Sequence, residues 1–168
     1  MKSELHYRLA DKRDALELHQ VAYKAYSTYF DLLSEEGAAQ LNTSIRNTAN
    51  LDKLLEQSTC FVCTHHEKVV GAAYFISSGH PWDVFKAEWS YIRMVGVVPD
   101  YQGLGIAREL TRQCVEQAKA SKETTIALHT SEFMDAARHI YESLGFKQQE
   151  EIPKRLGKRY WLYVMHLE

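Results

Sequence analysis

The chain has 168 residues, with 20 Lys and Arg against 22 Asp and Glu and a net charge of −2, so bulk attraction to nucleic acid or another polyanion is not its way of binding. With 45% hydrophobic and 25% charged residues it can bury one core without disulfides or metals, which excludes a disordered chain and a second full domain. Three cysteines, Cys60, Cys63 and Cys114, are too few and odd in number for a secreted disulfide framework. The charged opening has no apolar signal region and no run of about 18 apolar residues occurs, so a cytoplasmic location is expected.

In chain order, residues 4–9 read as a first strand and residues 14–26 as a helix with an acidic start. Residues 34–57 carry apolar side chains at mixed helical spacing and suggest two helices broken near Asn47 to Asn50. CFVCTHH and KVVGAAYFIS are β-rich runs joined at the corner His66-Glu67-Lys68, which predicts an antiparallel hairpin. Residues 87–98 form an aromatic and β-branched run ended by Pro99-Asp100, the central strand. Ile106, Leu110, Cys114 and Ala118 recur every four residues, the stripe of an amphipathic helix. A strand over 124–130, a helix over 134–144 stopped by Gly145, and strands over 146–151 and 159–166 complete the chain. No repeat or linker occurs, and Pro81, Pro99 and Pro153 fall where elements are expected to change. The fold class is α/β of the α+β type.

The most informative stretch runs from Val95 through the glycines to Arg108, a strand passing through a loop into a helix. Free N–H groups at a helix start, with the positive end of the dipole behind them, can hold a phosphate, and glycine lets the backbone approach it. A plain tight turn is the competing reading, since a lone GxG is weak. A dinucleotide fingerprint fails because Arg108 stands where glycine or alanine is needed, and a Walker loop fails because no Gly-Lys-Ser/Thr follows.

Gln102-Gly103-Leu104-Gly105-Ile106-Ala107 resembles the Q/R-x-x-G-x-G/A signature of the GNAT superfamily of acetyl-CoA-dependent N-acetyltransferases, after a strand ending Val-x-Pro. About 30 residues on, the segment from Ala137 to Phe146 resembles that family's A-x-x-(L/I)-Y-x-x-x-G-F motif. The opening Tyr7-Arg8-Leu9-Ala10 looks like the family's start. The resemblance implies a single acetyltransferase domain over 1–168, with a mostly antiparallel mixed sheet of six to seven strands flanked by helices. Its fourth and fifth strands would splay to admit acetyl-CoA. Gly96, inside a bulky strand, is where a bulge or close backbone approach is expected. By the same resemblance, main chain at Val95, Gly96 and Val97 would line the pantetheine arm, and amides of residues 103–108, from Gly103 to Arg108, would hold the pyrophosphate.

Acetyl transfer needs a deprotonated amine, a stabilised oxyanion and a protonated leaving thiolate. The resemblance implies Tyr141 for the last of these; packing with Ile140 and Leu144 is the alternative. A backbone N–H of the strand 95–97 is expected to meet the carbonyl oxygen. For the base, Glu88 on the central strand, His129 at the end of the fifth strand and a water chain are candidates, with Glu88 ranked first. Two departures from the family pattern stand out: Met134 replaces a usual Asn three residues before the motif alanine, and Tyr91 stands where many members carry an acid.

Cys60-Phe61-Val62-Cys63-Thr64-His65-His66 contains C-x-x-C, but on a strand Cys60 and Cys63 point to opposite faces while ligation needs convergence. No metal is expected, and His65-His66 reads as a hairpin corner. Aromatic residues crowd the unmatched regions (Tyr23, Tyr26, Tyr29, Phe30, Trp82, Phe85, Trp89) and either pack the core or shape a pocket for an amine acceptor. The C-terminal run from Tyr160 to Val164 completes the sheet or pairs with a second copy as a homodimer. The expected activity is N-acetyl transfer to a small-molecule or protein amine. The alternatives are a non-catalytic acyl-CoA-binding module and an enzyme using a longer acyl-CoA.

Overall fold

The computed structural model describes residues 4–168. The order is β1 (Leu5–Leu9), α1 (Ala15–Tyr26), α2 (Glu35–Ile45), α3 (Thr48–Gln57), β2 (Thr59–His65), β3 (Lys68–Ile76), β4 (Ser90–Val97), α4 (Ile106–Ala120), β5 (Thr125–Ser131), α5 (Asp135–Leu144), β6 (Lys147–Arg155) and β7 (Lys158–His166). The strands form one seven-stranded sheet in the order β1-β2-β3-β4-β5-β7-β6. All neighbours pair antiparallel except β4 and β5, which run parallel.

Alternation along the strands gives the sheet two buried faces. Leu18, Val21 and Leu54 of α1 and α3 pack on one, against Val62, Tyr74 and Tyr91, while Ile106, Leu110 and Cys114 of α4 pack on the other, against Phe75, Ile92 and Ile126. Cys60 and Cys63 fall on opposite faces, and all three cysteines are buried free thiols. Local signals set the element ends. Asp11 accepts from Arg13 N–H and Asp14 from Asp11 N–H in a reciprocal capping box before α1, Asn47 caps α3 at the predicted break, and Gly145 ends α5 at φ 109°.

Three expectations need correction. The central strand begins at Ser90 rather than residue 87, because Pro81 to Trp89 is held in turns, with Trp82 bridged to Phe85. Pro153 lies inside β6, which runs to Arg155 rather than ending at 151; β6 is an edge strand with a register irregularity there, where a missing N–H is tolerated. The β2–β3 corner is tighter than expected: His65 pairs with Lys68 across a two-residue turn. Of the two readings of the aromatic run of β7, sheet completion holds: it has β5 on one side and β6 on the other, so neither of its edges is open to a second copy. Among the described residues, no helix is long and apolar enough to cross a membrane.

Candidate active site

The parallel pairing of β4 with β5 is confined to Ser90 with Ile126 and Tyr91 with Ala127. Beyond that point the strands part. On the other edge of β4, Tyr74 pairs with Arg93 and Ala72 with Gly96, so Met94 and Val95 together oppose Ala73 in a bulge. Met94 takes the left-handed conformation, φ 56°. A bulge bends its strand and increases local twist, which turns the end of β4 away from β5. Gly96 is therefore not the bulged residue. Its role is close approach: a Cβ there would stand 3.0 Å from the Ala25 Cβ and 3.3 Å from the Tyr26 ring, so glycine lets α1 lie against the strand.

The gap opens into a cavity of about 840 Å3, walled by β4, the end of α1, the loop before α4 and the start of α5. Of the residues singled out in the sequence, Val95, Gly96, Val97, Gln102, Gly103, Gly105, Ile106, Ala107, Arg108 and Tyr141 line it. Leu104 does not; it packs against the α4-side core. Gly103 and Gly105 both have φ 81°, and a Cβ on either would meet nothing within 4 Å. Backbone conformation, not crowding, demands glycine there. Gly105 is the N-cap of α4 and supplies no side-chain acceptor, so the first N–H groups of a 15-residue helix present their dipole to the loop unpartnered by a cap. Such a terminus beside open space suits a phosphate.

Val98 N–H donates to Val70 on β3, so by strand alternation the main chain of Val97 faces the gap. Its carbonyl accepts from Gln102 Nε2 at 3.3 Å, and the Val95 carbonyl accepts from the Tyr26 hydroxyl at 2.9 Å. Each carbonyl expected to meet a ligand thus already holds one protein donor. Tyr26, Tyr29, Thr28 and Tyr101 also line the cavity. Helical spacing accounts for Tyr26 as packing, and its hydrogen bond to a residue 69 positions away has no signature in the sequence. Tyr141 is buried, and its hydroxyl makes no hydrogen bond to any described residue. Burial, with Tyr29 and Cys114 nearby, pushes its pKa well up, so the phenol keeps its proton. Met134, the departure from the family pattern, lies at the N-cap of α5 and gives no side-chain cap; its sulfur accepts from Thr130.

The two candidate bases part company. Glu88 is exposed in the turn before β4 and does not line the cavity, contrary to its expected place on the central strand. His129 lies on β5 two residues past the last β4–β5 pair, on the α1 side of the sheet. It stacks on Phe85 at 5.5 Å, with Trp82 and Tyr160 against it. Its Nε2 is sealed from solvent and without a hydrogen bond among the described residues, the Asp83 carboxylate standing 3.6 Å away and itself paired with Arg155. Burial, reinforced by Arg155 and opposed by Asp83, holds the His129 pKa down at about 4. An aromatic wall continues from Tyr160 through Phe133 to Tyr29 at the cavity.

Residues 18–146 match the family model described as the acetyltransferase (GNAT) family. The chain is 31% identical over 86 residues, 51% of its own length and 55% of the relative's, to N-alpha-acetyltransferase 30 of Schizosaccharomyces pombe. It is 26% identical over 129 residues, 76% of its length and 52% of the relative's, to human N-acetyltransferase 8B; it thus spans about half the length of these curated relatives. The crystal structure of PaiA N-acetyltransferase from Thermoplasma acidophilum, in complex with coenzyme A, shares the fold with a TM-score of 0.78 at 14% identity, over 97% of this chain and 99% of that one.

Proposed function

The chain belongs to the GNAT acetyltransferase family, and from that premise we propose that it is an acetyl-CoA-dependent N-acetyltransferase acting on a primary amine of a small molecule or a protein. The observation that carries this reading is the uncapped start of α4 behind Gly103 and Gly105, opening on the same cavity that Tyr141 lines. Acetyl-CoA supplies the activated acetyl thioester. The N–H groups of the loop and first helical turn hold its pyrophosphate, and the gap-facing main chain of Val95 to Val97 lies along the pantetheine arm. A backbone N–H of that strand stabilises the oxyanion as the amine attacks.

Tyr141 serves the leaving group. A thiol near about 8.5 in water is more acidic than a phenol near about 10, so donation is uphill in water, and burial raises the phenol further. The same dry surroundings raise the thiol too, and a hydrogen bond from the free hydroxyl stabilises the developing thiolate. We assign the proton's removal to the water chain: Glu88 is exposed outside the cavity, and His129 does not line it either, its Nε2 being sealed from solvent.

The test is calorimetric titration of the full chain with acetyl-CoA beside Gly105→Glu. That side chain has room but puts a carboxylate into the phosphate cradle. Saturable binding lost in a folded variant supports the reading, and absence of binding by the wild type sinks it. Binding without thiol release across an amine panel would instead identify a non-catalytic acyl-CoA module.

A further inference from the structure

At the far end of the β2–β3 hairpin, three potential ligand atoms converge. The Glu4 carboxylate stands 3.0 Å from His65 Nε2 and 3.7 Å from His66 Nε2, and one donor atom from each of the three residues lies within 4.8 Å of the others. Donors around a tetrahedral zinc are roughly 3.3 Å apart, so the cluster is near ligating size. We propose that Glu4, His65 and His66 form a binding site for a divalent transition ion, zinc by the chemistry of its two imidazoles and one carboxylate. The fourth position is open to water. The proposal does not depend on the acetyltransferase reading.

Two further features fit a metal site better than a plain corner. His65 is only 12% exposed on its side chain, and its other nitrogen, Nδ1, lies 2.6 Å from the Tyr101 hydroxyl. A ligating histidine characteristically has its second nitrogen fixed this way, which sets the tautomer and orients the ring. His66 and Glu67 both occupy the left-handed region, φ 50° and 67°, where a side chain costs about 1–2 kcal/mol per residue and glycine or asparagine is the usual choice. That turn folds His66 onto His65, ring centroids 4.0 Å apart, bringing a second imidazole to the carboxylate. Cys60 and Cys63 take no part, being buried on opposite faces. The ion would tie β1 to the hairpin and, through Tyr101, to the wall of the cavity.

The experiment is calorimetric titration of the full chain with Zn2+ in a non-chelating buffer, with Co2+ as a visible-absorption probe of the same site. Expected are one saturable ion per chain and a Co2+ band. His66→Asn, which suits the left-handed turn, and Glu4→Gln should each weaken binding at least tenfold and abolish the band while leaving circular dichroism unchanged. Tyr101→Phe should weaken binding about tenfold, the scale on which second-layer partners act. No saturable binding by the wild type, or undiminished affinity in folded His66→Asn or, should that variant not fold, in Glu4→Gln, overturns the proposal.

Discussion

Two tyrosines beside the cavity show how identical groups come to differ. Tyr26 commits its hydroxyl to the Val95 carbonyl, and burial pushes its pKa far up. Tyr141, the more deeply buried, has no hydrogen-bond partner among the described residues. Only the second is free to serve a ligand, so Tyr141→Phe should lower kcat by roughly 10²-fold with little change in acetyl-CoA affinity, checked by steady-state kinetics beside calorimetry. Glu88→Gln and, where it folds, His129→Gln should each leave kcat within about twofold of wild type, since general-base catalysis needs a group within reach of the proton and neither side chain lines the cavity. The motif around Tyr141 was readable in the sequence. The partner of Tyr26 was not, because helical periodicity reports the face a residue occupies and not what its terminal atom touches.

Among the elements, β4 carries the most consequence. Bulge, splay and helix contact fall within Met94 to Gly96. A reading by residue type places the irregularity at glycine, since methionine disfavours the left-handed region; the structure puts it at Met94 and gives Gly96 to the approach of α1. Gly96→Val would drive a side chain into Ala25 and Tyr26. It should destabilise the fold by about 1–3 kcal/mol, the usual cost of overpacking, and weaken acetyl-CoA binding by displacing Tyr26 from the Val95 carbonyl. Denaturant unfolding and calorimetry on the same variant check both effects. The ends of α1, α3 and α5 were legible beforehand, because caps and stops are short-range chemistry.

For the whole molecule, the buried histidine makes stability depend on pH. The His129 pKa is about 4 in the folded chain against about 6.5 when exposed. Between those values the unfolded chain binds the extra proton, so stability falls as pH drops through this window, by on the order of 3 kcal/mol, and is fully present above about 6.5. Chemical unfolding from pH 7.5 to 4 should show this loss, and His129→Gln should flatten it. The Asp14 carboxylate, lowered by its pair with Arg8, loses its contribution only at more acid pH, which separates the two. A loss of the same size in His129→Gln would remove His129 as its origin.

Sequence by itself determined the order of elements, the glycine loop between strand and helix and the family, since these rest on periodicity, turn chemistry and motif spacing within short stretches of chain. Only the tertiary structure decided that Glu88 stands outside the site, that β4 bulges at Met94, that β7 closes inside the sheet, and that Glu4 meets His65 and His66. Each is a contact or register between segments distant in sequence, fixed by how the two faces of one sheet are buried rather than by the residues' own propensities.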